Sequence, residues 1–111
     1  MSEHDEQVRV VQWCDLMGVP VFAIPNGGFR PKATAARLRD EGVRAGVPDL
    51  FVPLARHNRH GLFIEMKDVD GRHPRGAQME WLDLLNGNGY VACWSRGADA
   101  AIDMIRRYID D

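Results

Sequence analysis

At 111 residues the chain predicts a single domain, residues 1–111, with room for one modest core. Hydrophobic residues make up 45% and charged residues 27%, no apolar run nears the ~20 residues that span a bilayer, and the acidic start lacks an apolar signal region. A cytoplasmic protein with no membrane partner is therefore expected, and the net charge of −2 argues against a uniformly basic nucleic-acid binder.

Residues 3–17 form the first predicted helix, with Ser2 as N-cap and Val10, Trp13, Cys14 and Met17 as its apolar stripe. Glu3 and Gln7 extend that stripe, so the helix can turn a carboxylate towards the core side; Glu6 lies on an adjacent part of the same helix. First-turn acids also complement the helix dipole, which is the plainer reading of both. Gly18-Val19-Pro20 ends the helix. Val21 to Ile24 reads as a short strand, and Pro25-Asn26-Gly27-Gly28 as a turn in which Asn26 either serves turn chemistry or touches a phosphate. Residues 33–40 predict a short helix stopped by Gly42. Arg30, Lys32, Arg37, Arg39 and Arg44 cluster here.

Val47 to Leu54 and Leu62 to Lys67 are apolar runs around a polar, basic connection, the pattern of a β-hairpin. Alternation puts Leu62, Ile64 and Met66 on one face and Phe63, Glu65 and Lys67 on the other. Laying Leu54 near Leu62 brings Asp49 opposite the Glu65–Lys67 end. Two carboxylates and an ammonium then converge, an arrangement suited to a hard cation and an anionic reactant. Residues 30–75, which contain this hairpin, carry a charge of +4, while the flanks carry −3 each. That suits a phosphate backbone led towards the acids, with Arg30, Lys32, Arg37 and Arg44 as its contacts; solvated arginine-rich loops are the plainer alternative. His57 and His60 lie in the hairpin connection, away from Asp49, and are not expected to ligate metal. The loop from Asp68 to Pro74 lacks the spacing of an EF-hand.

Residues 75–86 predict a helix whose stripe holds Gln78 with Trp81, Leu82 and Leu85, so an amide stands on an otherwise apolar face and needs partners. Tyr90 to Trp94 reads as a buried strand. The last helix, from about 97 to 109, keeps Ala98, Ala101, Ile102, Ile105, Tyr108 and Ile109 in period. Cys14 and Cys93 form no Cys-x-x-Cys pair and read as reduced thiols. The order is α-β-α-β-β-α-β-α, with the two middle strands antiparallel: an α/β chain with a mixed sheet flanked by helices.

Pro48-Asp49 followed by Glu65-Met66-Lys67 resembles the Pro-Asp…(Asp/Glu)-x-Lys signature of the restriction-endonuclease-like nucleases. With Ile24-Pro25-Asn26-Gly27-Gly28, Glu41-Gly42-Val43 and Gly46-Val47-Pro48-Asp49, the chain resembles the virus-type replication-repair nuclease (VRR-NUC) domain, in the stand-alone form of phages and bacteria, over about residues 3 to 109. The resemblance implies the restriction-endonuclease-like fold and a metal-dependent DNA endonuclease acting on branched DNA such as a Holliday junction or flap, in replication, repair or recombination. It implies Mg²⁺ or Mn²⁺ held by Asp49, Glu65 and the Met66 carbonyl. An acidic residue at the first helix is implied as a further ligand; Glu3 matches best and Glu6 is its rival. Lys67 and Gln78 complete the implied site. Neighbouring carboxylates oppose the proton loss that a general base needs, so electrostatic stabilisation and orientation are expected of Lys67. Compact relatives that cut branched DNA are symmetric dimers, which implies a homodimer here. The alternatives are a nucleic-acid-binding module whose nuclease activity is weak or partner-dependent, and an RNA-processing nuclease.

Overall fold

A computed structural model describes residues 1–25 and 31–110. Among the described residues, the elements run in the expected order: α1 (Glu3–Met17), β1 (Phe22–Ala23), α2 (Lys32–Asp40), β2 (Leu50–Val52), β3 (Leu62–Lys67), α3 (Ala77–Gly87), β4 (Val91–Arg96) and α4 (Ala98–Asp110). The strands form one sheet in the order β1-β2-β3-β4. The β1–β2 and β2–β3 pairs are antiparallel, and β3–β4 is parallel, joined through α3. None of these helices is long and apolar enough to cross a membrane.

The period-2 pattern of β3 decides the layers. Leu62, Ile64 and Met66 are wholly or almost wholly buried on one face, against Val10 and Cys14 of α1 and Ala98, Ala101, Ile105 and Tyr108 of α4. The opposite face of β3 carries Phe63, Glu65 and Lys67, and α3 packs against β4 on that side. The α1 stripe holds for Val10 and Cys14, but Met17 is exposed, because the helix runs past the core before Gly18 caps it in the left-handed region (φ 73°). At the other end, Ser2 and Asp5 cap each other reciprocally, with both side chain–backbone bonds at 3.1 Å.

The hairpin register is shifted by two residues from the expected alignment, and the connection is correspondingly longer. Val52, not Leu54, stands across from Leu62, and Leu50 stands across from Ile64. The long connection has a small turn of its own, which explains the shift. His57 and Asn58 both have positive φ (57° and 60°), and Arg56 and Arg59 bridge across them, the geometry of a type I′ turn. This tip is tied down. His57 Nε2 lies 3.0 Å from the Tyr108 carbonyl, and the Tyr108 hydroxyl donates to the Leu54 carbonyl at 2.7 Å. His60 packs against Tyr90. Both histidines thus serve the packing of the connection, a role their position in the sequence did not suggest.

Candidate active site

This register places Asp49 directly beyond the Leu50–Ile64 pair, beside Glu65. One Asp49 carboxylate oxygen accepts the Met66 backbone N–H at 2.7 Å, so the acid is anchored to the strand it faces. Gly46 fixes the approach. Its φ is +88°, and a Cβ there would stand 2.7 Å from the Ala77 backbone carbon, so only glycine lets the loop before Asp49 lie against the start of α3.

That contact brings Gln78 to the acids. Its amide nitrogen donates to Glu65 Oε2 at 3.0 Å, and its oxygen accepts from Lys67 Nζ at 2.9 Å. Lys67 Nζ is also 3.7 Å from Glu65 Oε2. The ammonium and carboxylate dictate which end of the amide faces which partner, so Gln78 locks the pair into one geometry. The expected polar partners of this amide are therefore the Glu65 and Lys67 side chains of β3.

Glu65 is 4% exposed. Burial, then the neighbouring Asp49 carboxylate, pushes its carboxyl up to about 8, against the pull of Lys67. Asp49 is also raised, by burial, although the Met66 amide and Lys67 oppose the shift. Glu3 is raised by partial burial and then by Asp49, with Lys67 opposing. The first helix thus does bring a third acid into the field of the pair. Glu6, its rival, turns away: its buried carboxylate accepts the Ala98 N–H at the start of α4 and stands 3.6 Å from Arg9. Glu3 stays exposed within electrostatic reach of the acid pair, and Glu6, on the buried side of α1, joins two helices.

Among the described residues, no three His, Cys, Asp or Glu side chains stand close enough to hold an ion by side chains alone. The donors that could hold one are the Asp49 and Glu65 carboxylates with the main-chain oxygen of Met66, and Glu3 at the margin. These are hard oxygen donors, and burial raises both carboxyls although Lys67 opposes the shift.

A stability prediction follows from the signs. All three acids bind protons more tightly when folded, so the folded state holds more protons than the unfolded chain between about pH 5 and about 8. In EDTA, the melting temperature is expected to fall across that window as pH rises. Millimolar Mg²⁺ or Mn²⁺ is expected to reverse the fall at pH 8. Differential scanning fluorimetry over a pH series checks both.

The basic residues are placed less sharply. Lys32 and Arg37 are exposed on α2, which buries none of its residues. Arg44 is exposed but folds back to donate to the Arg39 carbonyl at 2.7 Å, closing the end of α2. Asn26 and Arg30 lie outside the described residues. The sequence reading missed a second group on the site face. Trp94 and Arg96 of β4 are paired with Glu65 and Lys67, with the Arg96 guanidinium 4.7 Å from the Trp94 ring centre and His73 edge-on to the same ring at 4.8 Å. The available signal was the i, i+2 spacing of Trp94 and Arg96 at the end of a predicted strand.

A mixed four-stranded sheet flanked by helices, with acids meeting where the central hairpin opens, is consistent with a restriction-endonuclease-like fold. The VRR-NUC domain model matches residues 1–99. A solved structure described as a VRR_NUC domain protein superposes with a TM-score of 0.84 at 31% identity, covering 98% of this chain and 88% of that one. No curated protein matches the chain. The chain belongs to the VRR-NUC domain family, a nuclease-type family.

Proposed function

We propose that the protein is a Mg²⁺- or Mn²⁺-dependent DNA endonuclease, acting on branched DNA in replication, repair or recombination. The observation that carries the reading is the closed Glu65–Lys67–Gln78 network with Asp49 anchored beside it. Asp49, Glu65 and the Met66 carbonyl would hold the ion. When bound, such an ion polarises a phosphoryl oxygen and lowers the pKa of its water.

The chain's own residues do the rest. Lys67 presents a positive charge beside the acids, where negative charge grows on the phosphate during attack. Gln78 keeps that ammonium and the Glu65 carboxylate from drifting, because its amide bonds both at 2.9 and 3.0 Å. Glu3, at the start of α1, offers a further acceptor for water or ion. Glu65 is buried while Asp49 stays partly open, so the pair meets solvent from the Asp49 side. A structural role alone is a weaker account of these residues, since buried adjacent carboxylates cost stability that an apolar pair would not.

A domain this small grips little duplex, and a two-fold dimer would set two such sites at a fixed spacing, as a junction or flap requires. The test is a panel of end-labelled linear, nicked, flapped and four-way DNAs, each incubated with Mg²⁺, Mn²⁺ or EDTA. Metal-dependent cutting that favours a branched substrate is expected. Cutting in EDTA would contradict the metal dependence, and equal rates on all four would contradict the branch preference. Binding without cutting in any metal would favour a partner-dependent module.

A further inference from the structure

We propose that Arg96 is a phosphate-binding residue of this site, gripping the DNA backbone beside the phosphate that is cut. This rests on the nuclease reading and adds a residue to it. Arg96 ends β4 in parallel register with Lys67, so the two side chains leave the same face at the C-terminal ends of adjacent strands. Its next-door amide, Gly97 N–H, donates to the Lys67 carbonyl at 2.8 Å, which fixes the strand ends to each other.

Gly71 stands between the two cations. Its carbonyl accepts Arg96 Nε at 2.9 Å, and a Cβ on it would stand 2.7 Å from the Lys67 Cβ. The guanidinium is thus held from two directions, by that carbonyl and by the Trp94 ring 4.7 Å below it. Among the described residues it makes no ion pair, although Arg9 and Arg107 each find a carboxylate. Nε is engaged, and the two terminal nitrogens point to no acceptor among the described residues. A preordered, exposed fork with four unused N–H donors on its two terminal nitrogens matches the geometry of a phosphate, and it loses little freedom on binding one. An arginine serving only to cover Trp94 would not require a fixed Nε bond beside the site's lysine.

Wild type, Arg96→Gln and Arg96→Lys would be compared on a labelled four-way junction. Binding would be read by anisotropy in Ca²⁺ over a salt series, and cleavage in Mg²⁺. Arg107→Gln, on the outer side of α4, serves as the charge control. For Arg96→Gln the expected result is about tenfold weaker binding, with the slope of log affinity against log salt reduced by about one. Arg96→Lys should keep the slope and lose part of the affinity, because charge survives and the fork does not. Wild-type affinity and slope in Arg96→Gln, with wild type cutting normally, would overturn this proposal alone. A reduction of the slope by Arg107→Gln equal to that by Arg96→Gln would also overturn it, by reducing the effect to net charge. If wild type neither binds nor cuts DNA, the nuclease reading fails and this proposal fails with it.

Discussion

Glu65→Gln is expected to abolish DNA cleavage, by about 10³-fold or more, and to make the metal-free protein more stable at pH 8. The two effects share one cause. Glu65 is a buried carboxylate next to another carboxylate, and its carboxyl is pushed up to about 8. Ionising it without a cation works against folding. An amide of the same shape removes the charge, still accepts from Gln78, and can donate to Asp49. A gain of about 1–2 kcal/mol is expected, which raises Tm by roughly 4 °C or more in a domain of this size. The amide cannot replace the carboxylate as a hard-cation donor, so catalysis is lost. A melt in EDTA and a cleavage assay on the same sample check both halves. Lost activity with lowered stability would indicate an ordinary structural acid.

The second large effect concerns Glu6→Ala. The Glu6 carboxylate satisfies the Ala98 N–H, one of the unpaired donors at the start of α4, and both partners are buried. Removing it orphans that donor and leaves Arg9 with only its exposed contact to Asp99 at 2.8 Å. A loss of about 3 kcal/mol is expected, with a Tm drop on the order of 10 °C. Activity at a temperature where the variant stays folded should fall more modestly, because α1 also carries Glu3. Glu3→Ala should show the reverse balance, with little change in melting and a clear fall in cleavage. If Glu6→Ala left Tm unchanged and Glu3→Ala lowered it, the two roles would have to be exchanged.

The contrast between these acids shows what the sequence could and could not reveal. Glu3 and Glu6 are three residues apart on one helix, so they share a face, and periodicity cannot separate them. What separates them is the position of the β4–α4 turn behind α1, a tertiary fact. Alternation along β3 was enough to sort Met66 from Glu65 and Lys67, because one face of the strand is fully buried. Gln78 was legible for the same reason, as an amide on an apolar stripe. The hairpin register was not, since the type I′ turn at His57-Asn58 sits inside a connection longer than the apolar runs on either side suggested. Arg96 escaped notice because its neighbours come from three separate segments, joined by a parallel pairing that no local pattern announces. The candidates on and after α2 remain proposals: exposure places Lys32 and Arg37 at the surface without directing them towards the acids.

The most direct test of the account is a single comparison of the wild-type protein with an Asp49→Ala/Glu65→Ala double variant on one branched DNA in Mg²⁺. Both proteins would first be shown folded by circular dichroism. Cutting by the wild type, its disappearance in EDTA, and no cutting by the double variant are expected. Equal cutting by the two folded proteins would contradict the assignment of the acid pair as the catalytic centre.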